Sequence, residues 1–213
     1  MKTDDLVLML ATGAGVAPKH VAARRYTIAL GWGMPISFAL MLATIGLLSD
    51  IRGALALSGF WIKLGFVVSL AAVSLLSTLR LSRPGADRKS LPVLLSLPVV
   101  ILWGLAVITL AQTEAELRIP LLMGQTWAEC PGLIAMLSLP IFVATLWAIR
   151  GLAPTNLRLA GGSAGLFAGA AGASIYTLHC PEMDAPFIAV WYLSGILIPA
   201  IVGLVPGSRL LRW

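Results

Sequence analysis

The chain has 213 residues, 59% of them hydrophobic and 11% charged, with a mean hydropathy of +0.94. A soluble domain of this length could not hide that much apolar surface, so composition excludes an ordinary globular enzyme and points to a bilayer protein. The net charge of +6 would suggest nucleic acid in a soluble domain, but here the basic residues are scattered through connections. That scatter suits topology signals and argues against direct nucleic-acid binding.

Residues 1–25 form an N-terminal segment with a short amphipathic helix and a linker. Thr3 is a capping residue, and Asp4 and Asp5 fall in a first turn where the helix dipole favours acids. Leu6, Met9 and Leu10 share one face. "TGAG" stops the helix and Pro18 lies in the linker. A secretory signal would carry positive charge where Asp4 and Asp5 stand. Two readings stay open for this helix: it lies on the membrane or bundle, or it docks a cytoplasmic partner.

Six apolar runs follow, at 26–48, 58–79, 91–111, 132–149, 159–178 and 186–206. Each has the length needed to cross about 30 Å of hydrocarbon. The expected fold is an all-α, polytopic bundle of six transmembrane helices over 26–206, with a short basic tail at 207–213. Lys2, Lys19, Arg24, Arg25, Arg80, Arg83, Arg88, Lys89, Arg150, Arg158, Arg209 and Arg212 fall on one side of these spans. Arg52 and Arg118 fall on the other, with Lys63 inside the second span. The positive-inside rule then puts both termini in the cytoplasm. Asp50, Glu114, Glu116, Glu129, Glu182 and Asp184 fall outside.

Within the spans, Lys63 reads as a snorkelling residue beside an interfacial Phe60 and Trp61. Pro35, Pro98, Pro140 and Pro199 should kink their helices. Gly161, Gly165, Gly169 and Ala173 form a small-residue face suited to close packing inside the bundle, with a homodimer as the weaker use.

The two cysteines, Cys130 in "TWAECPGL" and Cys180 in "TLHCPEMDAPF", lie at the outer boundary. Three readings stand. They form a disulfide, which an oxidising compartment permits. They gather a soft metal such as copper or zinc with His179 and Met183, Glu129 and Glu182 adding oxygens. Or they are inert buried thiols. No Walker A loop, dinucleotide fingerprint, HExxH, CxxC or Ser/His/Asp set occurs, so no enzyme is expected.

"MKTDDL", "FWIKL", "RPG", "W..CP", "RGLAPT", "HCPE...PF.AVWY" and "RLLRW" together resemble the NrsF family of six-span bacterial anti-sigma factors. The resemblance implies an inner-membrane, multi-pass protein whose partner is an extracytoplasmic-function sigma factor. That partner would dock on Thr3, Asp4, Asp5 and Leu6. It implies Cys130 and Cys180 as the response residues for heavy-metal or oxidative stress. No cofactor is required, and copper, cadmium or zinc would act as signal. The alternative is a small metal or solute permease with the cysteines at its entrance.

Overall fold

A computed structural model describes residues 3–13, 21–82, 90–152, 154 and 156–205. The linker 14–20 with Lys19, the basic residues Lys2, Arg83, Arg88, Lys89, Arg209 and Arg212, and the tail 207–213 lie outside the described residues. The described chain is helical, with no strand among the described residues.

The elements are α1 (Thr3–Gly13), α2 (Val21–Thr44), α3 (Ile51–Ala56), α4 (Ser58–Leu81), α5 (Leu91–Gln112), α6 (Ala115–Met123), α7 (Cys130–Arg150), α8 (Leu157–Tyr176), α9 (Ala185–Phe187), a π-helical turn (Ile188–Tyr192) and α10 (Leu193–Leu204). Helix boundaries follow local chemistry. Asp50 accepts from Gly53 N at 2.9 Å to start α3, and Asn156 accepts from Leu159 N at 3.0 Å to start α8. Pro92 and Pro131 sit in first turns, where a missing N–H costs nothing. Pro35, Pro98, Pro140 and Pro199 lie inside α2, α5, α7 and α10 as expected. Two helices were not anticipated: α3 and α6 occupy stretches read as plain connections. Both are short, which hydrophobic periodicity cannot resolve.

Five helices are long and apolar enough to cross a membrane: Val21–Thr44, Ser58–Leu81, Leu91–Gln112, Cys130–Arg150 and Ala185–Leu204. The expected span at 159–178 corresponds to α8, which is not among the five. It has 20 residues, but most are glycine and alanine, and these carry little hydropathy. Instead α8 is sheltered along almost all its length by α4, α7 and α10.

Glycine makes that shelter possible. A Cβ on Gly165 would run into the Pro199 carbonyl of α10, and one on Gly203 into the Gly161 carbonyl of α8. A Cβ on Gly172 would lie 2.9 Å from Ser138 N of α7. The backbones are therefore in direct contact, where dispersion and weak Cα–H···O bonds replace side-chain packing. The Gly161, Gly165 and Gly169 face is filled by α10 of the same chain, so it is not open to a second copy.

On the other flank, α2 packs on α7. Gly33 admits the Ile141 backbone, and Ser37 Oγ donates to Leu137 O at 2.6 Å. At the end of the bundle where α2 begins, Tyr26 and Ser82 hydroxyls lie 2.9 Å apart and Arg25 stacks 5.1 Å over Trp147. The opposite end, where α4, α7 and α10 begin and α8 stops, carries the cysteines.

Candidate functional site at the cysteine end

Cys130 opens α7, and its N–H bonds to Thr126 O at 3.0 Å. Cys180 follows the end of α8, with its N–H on Tyr176 O at 3.1 Å. Both are fully buried free thiols, not a disulfide. The Tyr176 ring lies 5.7 Å from the His179 ring and 5.7 Å from the Tyr192 ring, at the same end of the core as both cysteines. Tyr192, the last residue of the π-helical turn, is fully buried with its hydroxyl. That hydroxyl makes no hydrogen bond of ordinary geometry.

Lys63 is the residue that sequence reading misplaced. It does not snorkel to an interface; it is fully buried. Its ammonium donates to Cys180 O at 2.8 Å and Glu182 O at 2.7 Å, and lies 5.5 Å over the Tyr192 ring. Two carbonyls and a π face supply partners for its three protons, which is what a buried ammonium needs. The sequence flagged Lys63 as a charge inside a span. It could not show that segment 180–184 folds over the start of α4 and shuts that charge in.

The segment 178–184 is held from three other directions. Leu48 N donates to Leu178 O at 3.0 Å, and His179 Nδ1 lies 3.1 Å from Gly46 O. Gly46, at φ +72°, makes the turn that offers this carbonyl. Glu182 Oε1 accepts from Gln125 N at 2.7 Å. A Cβ on Gly124 would lie 2.8 Å from both the Glu182 carboxylate and the Phe187 ring. Met183 sits against Gly59, where a Cβ would be 2.8 Å away. Trp191 Nε1 donates to Leu122 O at 3.0 Å and its ring lies 5.2 Å from Trp127. Asp184 is largely solvent-facing, yet partial burial, and then the neighbouring Glu182, push its carboxyl above the usual carboxylate range.

The metal-ligand reading can now be compared with the donors. Cys130 and Cys180 are both buried, one at the start of α7 and one just past the end of α8. Among the described residues, no three His, Cys, Asp or Glu side chains are placed to share an ion. His179 Nδ1 is engaged with Gly46 O and Glu182 Oε1 with Gln125 N. Two thiols fall short of the four ligands that a structural zinc takes.

The second candidate region is α1. Thr3, Asp4, Asp5 and Leu6 are all exposed, with both acids in the first turn. Thr3 is the first helical residue there. Leu8 and Met9 are 70% and 64% exposed.

The family described as "Negative regulator of sigma F", NrsF, matches residues 10–213. A probable anti-sigma-F factor NrsF of Azospira oryzae is 53% identical over 213 residues, covering both chains completely. The anti-sigma-F factor NrsF of Caulobacter vibrioides is 35% identical over 217 residues, again covering both chains completely. No solved structure matches.

Proposed function

Because this chain belongs to the NrsF family of negative regulators of sigma F, we propose that it is a membrane-integral anti-sigma factor that holds an extracytoplasmic-function sigma factor through α1. The observation that carries this reading is 53% identity, over the full length of both chains, to a relative named as a probable anti-sigma-F factor. In this reading α8 crosses the membrane as a sixth helix, hidden from lipid by its neighbours, and both termini are cytoplasmic. The bundle then sits in the bacterial inner membrane.

Asp4 and Asp5 offer negative charge, and Leu6 an apolar anchor, on a helix whose described side chains are all exposed. A helix of three turns is marginal alone in water, so a partner that covers its apolar face would also order it. At the other end, the cysteine centre is the sensing element. Loading the two thiols with a soft metal, or oxidising them, changes the packing of α7 against the end of α8. α7 ends at Arg150 and α8 starts after Asn156, so a change in the angle between the two helices reaches the cytoplasmic side in this reading. A tenfold change in the releasing population needs only about 1.4 kcal/mol of preference for one state.

The test is recovery of the detergent-solubilised chain with a bound sigma factor. Deleting residues 2–12 should abolish recovery and leave the protein in the membrane. Retention by the truncated chain would move the docking site elsewhere.

A further inference from the structure

Towards the end of the bundle away from the cysteines, α2 and α7 leave a groove of about 710 Å³ between them. Its walls include Ile28, Trp32, Ile36, Leu139, Val143 and Trp147. From Ile28 to Ile36 it runs about 12 Å along α2, at about 1.5 Å per residue. The walls are apolar and open, with Trp32 69% and Trp147 50% exposed. In a bilayer such a groove takes an acyl chain, and the charge at its end selects which lipid supplies it. Arg25, one turn before Ile28 and Ala29, stacks 5.1 Å over the Trp147 ring. A Cβ on Gly151 would run into the Arg25 guanidinium, so the glycine makes its seat. Its Nη1 is buried with no hydrogen-bond partner among the described residues. Stacking engages the face of a guanidinium and leaves its N–H edge in need of acceptors. Arg24 and Arg150 are exposed at the same end. The described acids outside α1, from Asp50 to Asp184, all fall in the connections at the cysteine end.

We propose that the α2–α7 groove binds one anionic phospholipid, with its phosphate on the Arg25 guanidinium and an acyl chain along Ile28, Trp32, Ile36, Leu139 and Val143. The planar guanidinium fork matches two phosphate oxygens, and a charge-assisted pair of this kind is stronger than a neutral hydrogen bond. A zwitterionic headgroup brings its own ammonium, which Arg24, Arg25 and Arg150 repel, so the charge favours an anionic lipid. An arginine that merely snorkels is free to move. Arg25 is held between Trp147 and Gly151, so little freedom is lost when a phosphate arrives. Tryptophan suits the headgroup level, where Trp147 stands near the end of α7. A lipid in this groove touches both helices, beside the contact of Gly33 with the Ile141 backbone. It would therefore stabilise the pairing of α2 with α7 by mass action.

The full-length protein in detergent is titrated with phosphatidylglycerol, with phosphatidylcholine, or with inorganic phosphate alone, and bound molecules are counted by native mass spectrometry. Expected is one phosphatidylglycerol per chain, bound about tenfold tighter than phosphatidylcholine. Arg25→Gln should remove that preference, and Arg25→Lys should keep part of it, because an ammonium supplies the charge without the fork. Val143→Trp fills the groove from a position that is already exposed, and should weaken both lipids by about tenfold. Inorganic phosphate alone should bind at least about 100-fold more weakly than phosphatidylglycerol, since it gains nothing from the apolar walls. Should Arg25→Gln fail to fold, Arg25→Lys and Val143→Trp still decide the matter. Equal affinity for the two lipids, a preference untouched at Arg25, or binding indifferent to Val143→Trp overturns the proposal. Phosphate that binds as tightly as the lipid also overturns it, leaving an anion site only. A preference that appears only after residues 2–12 are deleted gives the guanidinium to Asp4 and Asp5, and overturns it too. The measurement needs a membrane protein but no sigma factor, so this proposal and the docking reading fail separately.

Discussion

The helix α1 and the segment 178–184 are both short and polar beside long apolar helices, yet they are built in opposite ways. Every described side chain of α1 is exposed, Leu6, Val7, Leu8 and Met9 among them. In 178–184, backbone groups of Leu178, Cys180 and Glu182 and the side chains of His179 and Glu182 are engaged by α4 or by the connections before α3 and α7. The first is left uncovered by the rest of the described chain. The second is preorganised, its polar groups already met by hydrogen bonds from neighbouring segments.

The strongest way to break the comparison is at Lys63. Lys63→Met leaves the Cys180 and Glu182 carbonyls buried and unpaired, at about 1–3 kcal/mol each. Thermal unfolding of the purified protein should show a loss of several degrees, while deletion of residues 2–12 should leave the midpoint unchanged. Equal effects would mean the segment is not clamped.

Next is Gly124→Ala. It demands a strained positive φ and places a methyl against Glu182 and Phe187. A loss of about 1–3 kcal/mol is expected, against little change for Gly65→Ala in α4, where a Cβ meets nothing within 4 Å. Unfolding midpoints measure both.

In function the order reverses. Asp4→Ala with Asp5→Ala should release the sigma factor and leave stability within about 0.5 kcal/mol. Cys130→Ser and Cys180→Ser should keep the sigma factor bound at rest and abolish induction. Reporter transcription with and without soft metal separates the two.

The smallest effect is at Asp184. Its carboxyl is held above its ordinary range, so the ionised form is disfavoured in the folded protein. That contribution to stability is present at low pH and lost as pH rises through the raised value. Asp184→Asn should therefore raise the unfolding midpoint slightly at neutral pH, with the gain fading as pH falls. A gain that grows on acidification would reverse the sign.

The sequence by itself determined the class of the molecule and most of its helices, because apolar runs of span length and proline or Asx boundaries are local signals. It also located α1, its acids, and the two cysteines, and it showed that a lysine stood inside a span. Tertiary structure alone decided what surrounds them. Whether Lys63 reaches solvent depends on a segment more than 110 residues away folding over it. Whether the glycines of α8 serve this chain or a second copy depends on α10 already lying against them. Tyr192 is buried at the end of a π-turn, which leaves no mark in hydropathy. Hydropathy and spacing report how each segment partitions between water and lipid. Which buried polar groups become partners is set by contacts between segments distant in the chain, and only the folded bundle contains those.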